Sequence, residues 1–125
     1  MTGPTKEQRA AARRKDPMGD DAAEAALLWL NDNASSAGKA KADVTYLEHW
    51  RKVVLNRLKR ASTEKSDAAR EVVARSHPDY EAVLVAQHEA IVAYEAMYWK
   101  RIAAEATLDA WRTRNANERG AGRMQ

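Results

Sequence analysis

The chain contains no cysteine and no phenylalanine, and only 3 prolines and 5 glycines in 125 residues. Without cysteine there can be no disulfide framework and no thiolate metal site. Scarce proline and glycine leave little to end a helix or to build the turn-rich strands of a sandwich or barrel. Long apolar runs are missing as well. No stretch approaches the ~18 residues of a membrane span, and Met1 to Pro17 lacks the apolar core of a secretory signal. A soluble protein in a reducing cytoplasm is the expectation. What is abundant is alanine, glutamate, lysine, arginine and leucine, the composition of long helices, so the fold class is all-α and one small domain is the limit.

The net charge of +3 hides a layout. Residues 1–19 are mostly basic (Lys6, Arg9, Arg13, Arg14, Lys15), residues 20–38 carry only acids, and residues 39–60 are basic again through Lys39, Lys41, Arg51, Lys52, Arg57, Lys59 and Arg60. Residues 80–111 are mildly acidic and the tail is basic through Arg112, Arg114, Arg119 and Arg123. A basic first arm facing an acidic second arm reads as self-complementarity, within the chain or between copies.

The apolar spacing predicts a long antiparallel helical hairpin over residues 19–116, preceded by a flexible basic arm (1–18) and followed by a flexible tail (117–125). The arm carries Gly3, Pro4 and Pro17 and almost no large apolar side chain, too little to offset ordering entropy. A short amphipathic helix is expected from about Asp20 to Asn31, burying Ala23, Ala26, Leu27 and Leu30. A break follows at Asn31–Gly38, although Ala34, Ala37 and Ala40 would allow one helix to continue.

The first hairpin arm then runs from about Ala37 to Arg75, with a stripe of Val44, Leu47, Val54, Leu58, Ala61, Ala68 and Val72 spaced by threes and fours. His77-Pro78 ends it, since the residue before proline is pushed out of the α region. Pro78 suits the first turn of the second arm, with Ser76 or His77 as cap and Asp79 and Glu81 at the positive end of the helix dipole. That arm runs to about Asn115, with Val83, Leu84, Ile91, Tyr94, Met97, Tyr98, Ile102, Leu108 and Trp111 as buried candidates. Reversal near residue 77 would set Leu58 beside Met97 and Tyr98, and Arg51 near Glu105. Two helices make a poor core, and Trp50, Val53, Leu55, Val73, Val85, Val92 and Trp99 are left over, so a homodimer in a four-helix arrangement is expected.

Chemistry is sought without result. His49, His77 and His88 lack ligand-spaced companions, the glycines are scattered, and no serine stands in a strained turn beside a histidine. No catalytic residue, metal or cofactor is expected, nor a small-molecule substrate. The basic clusters carry more. Arg51, Lys52, Lys59 and Arg60 recur near helical spacing beside His49 and Trp50, so one face could track phosphates, or could simply be solvated with its stems covering the seam. Arg112 and Arg114 would return to the hairpin end that holds Lys39 and Lys41, making one positive end.

Tyr46-Leu47-Glu48 followed by Arg51-Lys52, then His77-Pro78-Asp79-Tyr80, then Ala103 through Arg112 ending in Ala110-Trp111-Arg112, together resemble a family of small helical bacteriophage and prophage proteins. The resemblance covers roughly residues 25 to 119. It implies an early phage function accompanying recombination or replication genes in the host cytoplasm, with no activity to assign residue by residue. The leading expectation is a non-enzymatic accessory protein binding nucleic acid or a DNA-processing protein through Arg51, Lys52, Lys59, Arg60, Arg112 and Arg114. The alternative is a protein-directed inhibitor or adaptor of a host factor, for example in a defence system, using an interface around Trp50, Tyr98 and Trp99. A small virion component is a third reading.

Overall fold

The computed structural model describes residues 2–123. Among them every regular element is helical: α1 (Lys6–Lys15), α2 (Asp20–Ala61), α3 (Asp67–Arg75) and α4 (Pro78–Arg123). The all-α expectation holds, with two long helices, α2 of 42 residues and α4 of 46. The chain divides into two compact units. A turn unit spans Ser36–Met97, and a terminal unit joins the residues up to Ser35 with those from Tyr98 onward. Each long helix passes through both.

In the turn unit the first arm is shorter than the spacing predicts. It ends at Ala61, not Arg75, and Ser62 to Ser66 form a connection. The hydroxyls there do what serines do best outside a helix, which is to bond nearby backbone. Ser62 Oγ accepts from Glu64 N at 3.2 Å, and Ser66 caps α3 by accepting from Ala69 N at 3.1 Å. Lys59 of α2 reaches Asp67 in the first turn of α3 at 2.9 Å, and Arg70 Nε donates to the Glu64 carbonyl at 2.6 Å.

The second boundary divides its roles between two residues. Ser76 closes α3, its hydroxyl donating to the Val72 carbonyl at 2.8 Å. His77 opens α4: its carbonyl accepts from Tyr80 N and Glu81 N, and its Nδ1 accepts from Asp79 N at 3.0 Å.

Packing in this unit centres on Val54 of α2, Ala74 of α3, and Tyr80 and Val83 of α4, all buried. Trp50, Val54, Arg57 and Leu58 of α2 share a hollow with Asp79, Ala82 and Val83 of α4, so α4 runs back along α2 from its first turn. Leu58 therefore meets the start of α4 and not Met97 and Tyr98. The register differs because the residues of α3 belong to neither arm. Val72, placed on the buried stripe, is 67 % exposed, and Leu84 and Ile91 are exposed as well.

In the terminal unit the expected structureless arm contains α1. Its ten residues bury nothing fully, so its order comes from its ends. Thr5 Oγ1 accepts from Gln8 N at 3.1 Å while Gln8 Oε1 accepts from Thr5 N at 2.8 Å, a reciprocal capping box. Glu7 lies in the first turn and Arg13, Arg14 and Lys15 in the last, each on the favourable end of the dipole.

Asp16 and Pro17 end α1, and the Gly19 carbonyl accepts from Ala23 N as α2 begins. A Cβ at Gly19 would stand 2.8 Å from Asp16 Oδ2, so any larger residue there has to displace that carboxylate. The break expected at Asn31–Gly38 is absent. Asn33 Nδ2 donates to the Trp29 carbonyl at 2.9 Å, one turn back, and the surrounding alanines carry the helix through. Ala23 and Ala26 are buried as the amphipathic reading requires, with Ala22 buried as well, but Leu27 is 52 % exposed. The tail is helical through Arg123 despite Gly120 and Gly122; Met124 and Gln125 lie outside the described residues.

Candidate interaction faces

Helical geometry settles which side chains can act together, because residues three, four and seven apart share a face. On α2 in the turn unit, Tyr46, Trp50, Val53 and Arg57 form such a row. The Tyr46 and Trp50 rings stack at 6.4 Å between centroids with 6° between planes, and the Arg57 guanidinium lies 5.2 Å from the Trp50 ring centroid. That arrangement satisfies a cation on an aromatic face without an ion pair. Tyr46 is 63 % exposed and Trp50 half-buried, beside the hollow of about 320 Å³ shared with the first turns of α4.

The six cations singled out from the sequence are divided between the two units. Four lie on α2 in the turn unit. Lys52 and Arg60 are exposed, and among the described residues neither makes an ion pair. Arg51 is half-buried and its Nε is covered without a hydrogen-bond partner. The expected partner, Glu105, lies 3.9 Å from Arg101 on its own helix. Lys59 is taken up by Asp67.

The other two lie in the terminal unit and are occupied there. Arg112 pairs with Asp109 at 3.1 Å. Arg114 Nη1 donates to both Asp16 carboxylate oxygens at 2.7 and 2.8 Å, and its Nε reaches Glu118 at 3.2 Å. Lys39, the other half of the supposed positive end, pairs with Asp43 at 2.8 Å.

Arg114 and Asp16 belong to a polar cluster that nothing in the spacing announced. Trp111 Nε1 donates to Asp20 Oδ1 at 2.8 Å, and Asp16, Met18, Gly19, Asp20, Trp111 and Arg114 surround a hollow of about 210 Å³. The Arg114 guanidinium holds the Asp16 carboxyl below the usual aspartate range, and the hydrogen bond from Arg114 is the main cause. In return, the hydrogen bonds to Asp16 and Glu118 raise Arg114 above its ordinary value. The signals that existed were Asp16-Pro17 and Gly19-Asp20 as chain punctuation. No rule of spacing could reveal partners 91 and 98 positions away.

Of the predicted interface aromatics, Trp50 lies in the turn unit, and Tyr98 and Trp99 in the terminal unit. Trp99 is 62 % exposed, with its ring edge-on to Tyr98 at 5.4 Å, and Arg101 lies 5.4 Å from the Tyr98 ring centroid. Among the described residues no group of three or more histidine, aspartate or glutamate side chains could hold a metal ion, and no helix is long and apolar enough to cross a membrane. No protein-family model matches the chain, and no curated protein or solved structure matches it.

Proposed function

We propose that this chain is a non-enzymatic accessory binding protein, of the phage type its motifs resemble, that engages nucleic acid or a DNA-processing protein through the cationic side of the C-terminal half of α2. The observation that carries this reading is the charge of residues 46–60. There Arg51, Lys52, Arg57, Lys59 and Arg60 stand against Glu48 alone, and Lys52 and Arg60 are exposed and outside any ion pair among the described residues. On one unbroken helix these two lie about 12 Å apart along the axis, which suits two phosphates of a backbone laid beside it. Arg112 and Arg114 drop out of the contact set because acids of their own unit hold them.

Binding of labelled single- and double-stranded DNA, followed by anisotropy at low and at physiological salt, tests this. Affinity falls with salt, and replacing Lys52 and Arg60 by alanine weakens binding and lowers the salt slope by about 2. Arg112→Ala leaves binding unchanged. Absence of binding at low salt, or a double variant that binds like the wild type, overturns the reading.

A second reading, a protein-directed inhibitor or adaptor of a host factor, is favoured by the exposure of Tyr46 and Trp99, each against a ring that carries an arginine, the composition of interface anchors. A stoichiometric protein partner that survives nuclease treatment would select it.

A further inference from the structure

The side of α2 that carries Arg60 also carries the most open aromatic ring of the turn unit. Tyr46, Val53 and Arg60 follow one another at intervals of seven, so they lie within about 40° of one another around the helix. His49 stands about 60° from Tyr46 on the same side, and Glu48, the one acid of residues 46–60, about 160° away. Arg60 is exposed and outside any ion pair among the described residues.

Two rings stand on this side, and their surroundings differ. Trp50 is half-buried against the hollow shared with α4. The Tyr46 ring lies parallel to it at 6.4 Å, and the Arg57 guanidinium is 5.2 Å from its centroid. Trp50 is thus already occupied. Tyr46 is 63 % exposed. Trp50 follows it by one turn, while one turn before it comes Ala42, exposed and no larger than a methyl group, which leaves the ring open on that side. The contact with Trp50 fixes the tilt of the Tyr46 ring, so little freedom remains to be lost when a ligand is laid on it.

A held ring with an open side, on the same stripe as an unpaired arginine, suits a ligand that is flat and apolar in its units and anionic along its length. Single-stranded nucleic acid has that chemistry. A duplex does not, because its base faces are enclosed in their own stack. A protein partner calls for a broader apolar surface, and from Tyr46 to Arg60 this stripe offers Val53 as its one aliphatic side chain.

Resting on the nucleic-acid reading above, we infer that the strand bound by α2 is single, with a base stacked on the open side of Tyr46. The strand runs along the stripe of Tyr46, Val53 and Arg60. Arg60 meets a phosphate a few nucleotides on, about 21 Å along the axis from Tyr46, and Lys52 reaches in from the flank about halfway.

The test is anisotropy at physiological salt with three labelled probes of equal strand length: an oligothymidylate, a duplex, and an abasic oligomer that keeps the phosphates. The wild type binds the oligothymidylate more tightly than either of the others. Tyr46→Ala lowers that affinity about 10-fold and leaves duplex binding, abasic binding and the salt slope unchanged. Tyr46→Phe, which keeps the ring, binds like the wild type. Both variants keep the helical signal, since the side chain is exposed. Oligothymidylate binding no tighter than that of the duplex or the abasic oligomer, or a Tyr46→Ala variant that binds it like the wild type, overturns the inference and leaves the phosphate contacts of Lys52 and Arg60 standing. Failure of all three probes to bind even at low salt overturns the nucleic-acid reading itself, and the stacked base with it.

Discussion

Tyr80 is the large side chain on which the turn unit is built, and its replacement by alanine is the sharpest stability experiment the molecule offers. The residue is 3 % exposed, in the first turn of α4, close in the chain to Ala74, which is 1 % exposed. The Arg75 guanidinium stands 5.9 Å from the ring centroid, and its Nη1 is 3.5 Å from the hydroxyl. Truncating a buried aromatic ring costs about 3–5 kcal/mol, less where neighbours can collapse into the space. One neighbour is the flexible Arg75 side chain, which can fold into the vacated space, so the lower end applies, about 3 kcal/mol. Against a total of about 5–15 kcal/mol for a domain of this size, that is a large share.

The hydroxyl is worth far less, because a 3.5 Å contact is a weak hydrogen bond; Tyr80→Phe should cost under about 1 kcal/mol. Urea unfolding followed by far-UV circular dichroism, at one protein concentration, reads both. With m of about 1–3 kcal/mol/M, Tyr80→Ala lowers the midpoint by about 1–3 M, and Tyr80→Phe by a small fraction of that. A Tyr80→Ala midpoint within about 0.3 M of the wild type at equal m, or a phenylalanine variant as unstable as the alanine one, refutes the claim that ring burial organises the turn.

Two further outcomes follow from local contacts. Ser66→Ala removes the hydroxyl that accepts from Ala69 N and should cost about 1 kcal/mol, seen as a lower urea midpoint, while Ser66→Asp should retain the wild-type value. Because the Arg114 hydrogen bond lowers the folded-state pKa of Asp16 below 3.8, the contribution of this contact is complete above that pH. It is lost as pH falls through the lowered value. Carboxyl titration by NMR should show Asp16 protonating below the ordinary aspartate range, and Arg114→Ala should return it there; an unchanged titration in that variant removes Arg114 as the cause.

How far the sequence foretold this fold is best judged at its boundaries. The all-α class was legible because periodicity and composition act along the whole chain. The start of α4 was legible too, because Pro78 constrains the residue before it whatever the tertiary context. The break at Ser62 to Ser66 was written in the same residues that read as a weakening of the stripe. A serine within a helical pattern is ambiguous until one knows whether its hydroxyl bonds backward within a helix, as Ser76 does, or forward across a cap, as Ser66 does. Asn31–Gly38 misled in the opposite direction: a run of turn formers costs a helix only about 1 kcal/mol at its glycine, and the flanking alanines outweigh it. The charged site was the least legible part, because a cation's availability depends on acids far away in the chain, as Asp16 does for Arg114 and Asp67 for Lys59.

The alanine content that made the helices easy to read also explains why the apolar faces stay open. Five of the eight buried apolar residues among the described ones are alanines, and an alanine lets two helices approach closely while burying little surface. A seam of this kind is narrow. The valines, leucines and aromatics placed at the edges and on the outer side of the helices are then reachable by another chain but not by the helix they accompany. Alongside Val54, Tyr80 and Val83, the buried positions are taken by alanines such as Ala74 and Ala104, while Val85 and Val92 stand outside, so much of the larger apolar surface of these helices is left at the surface.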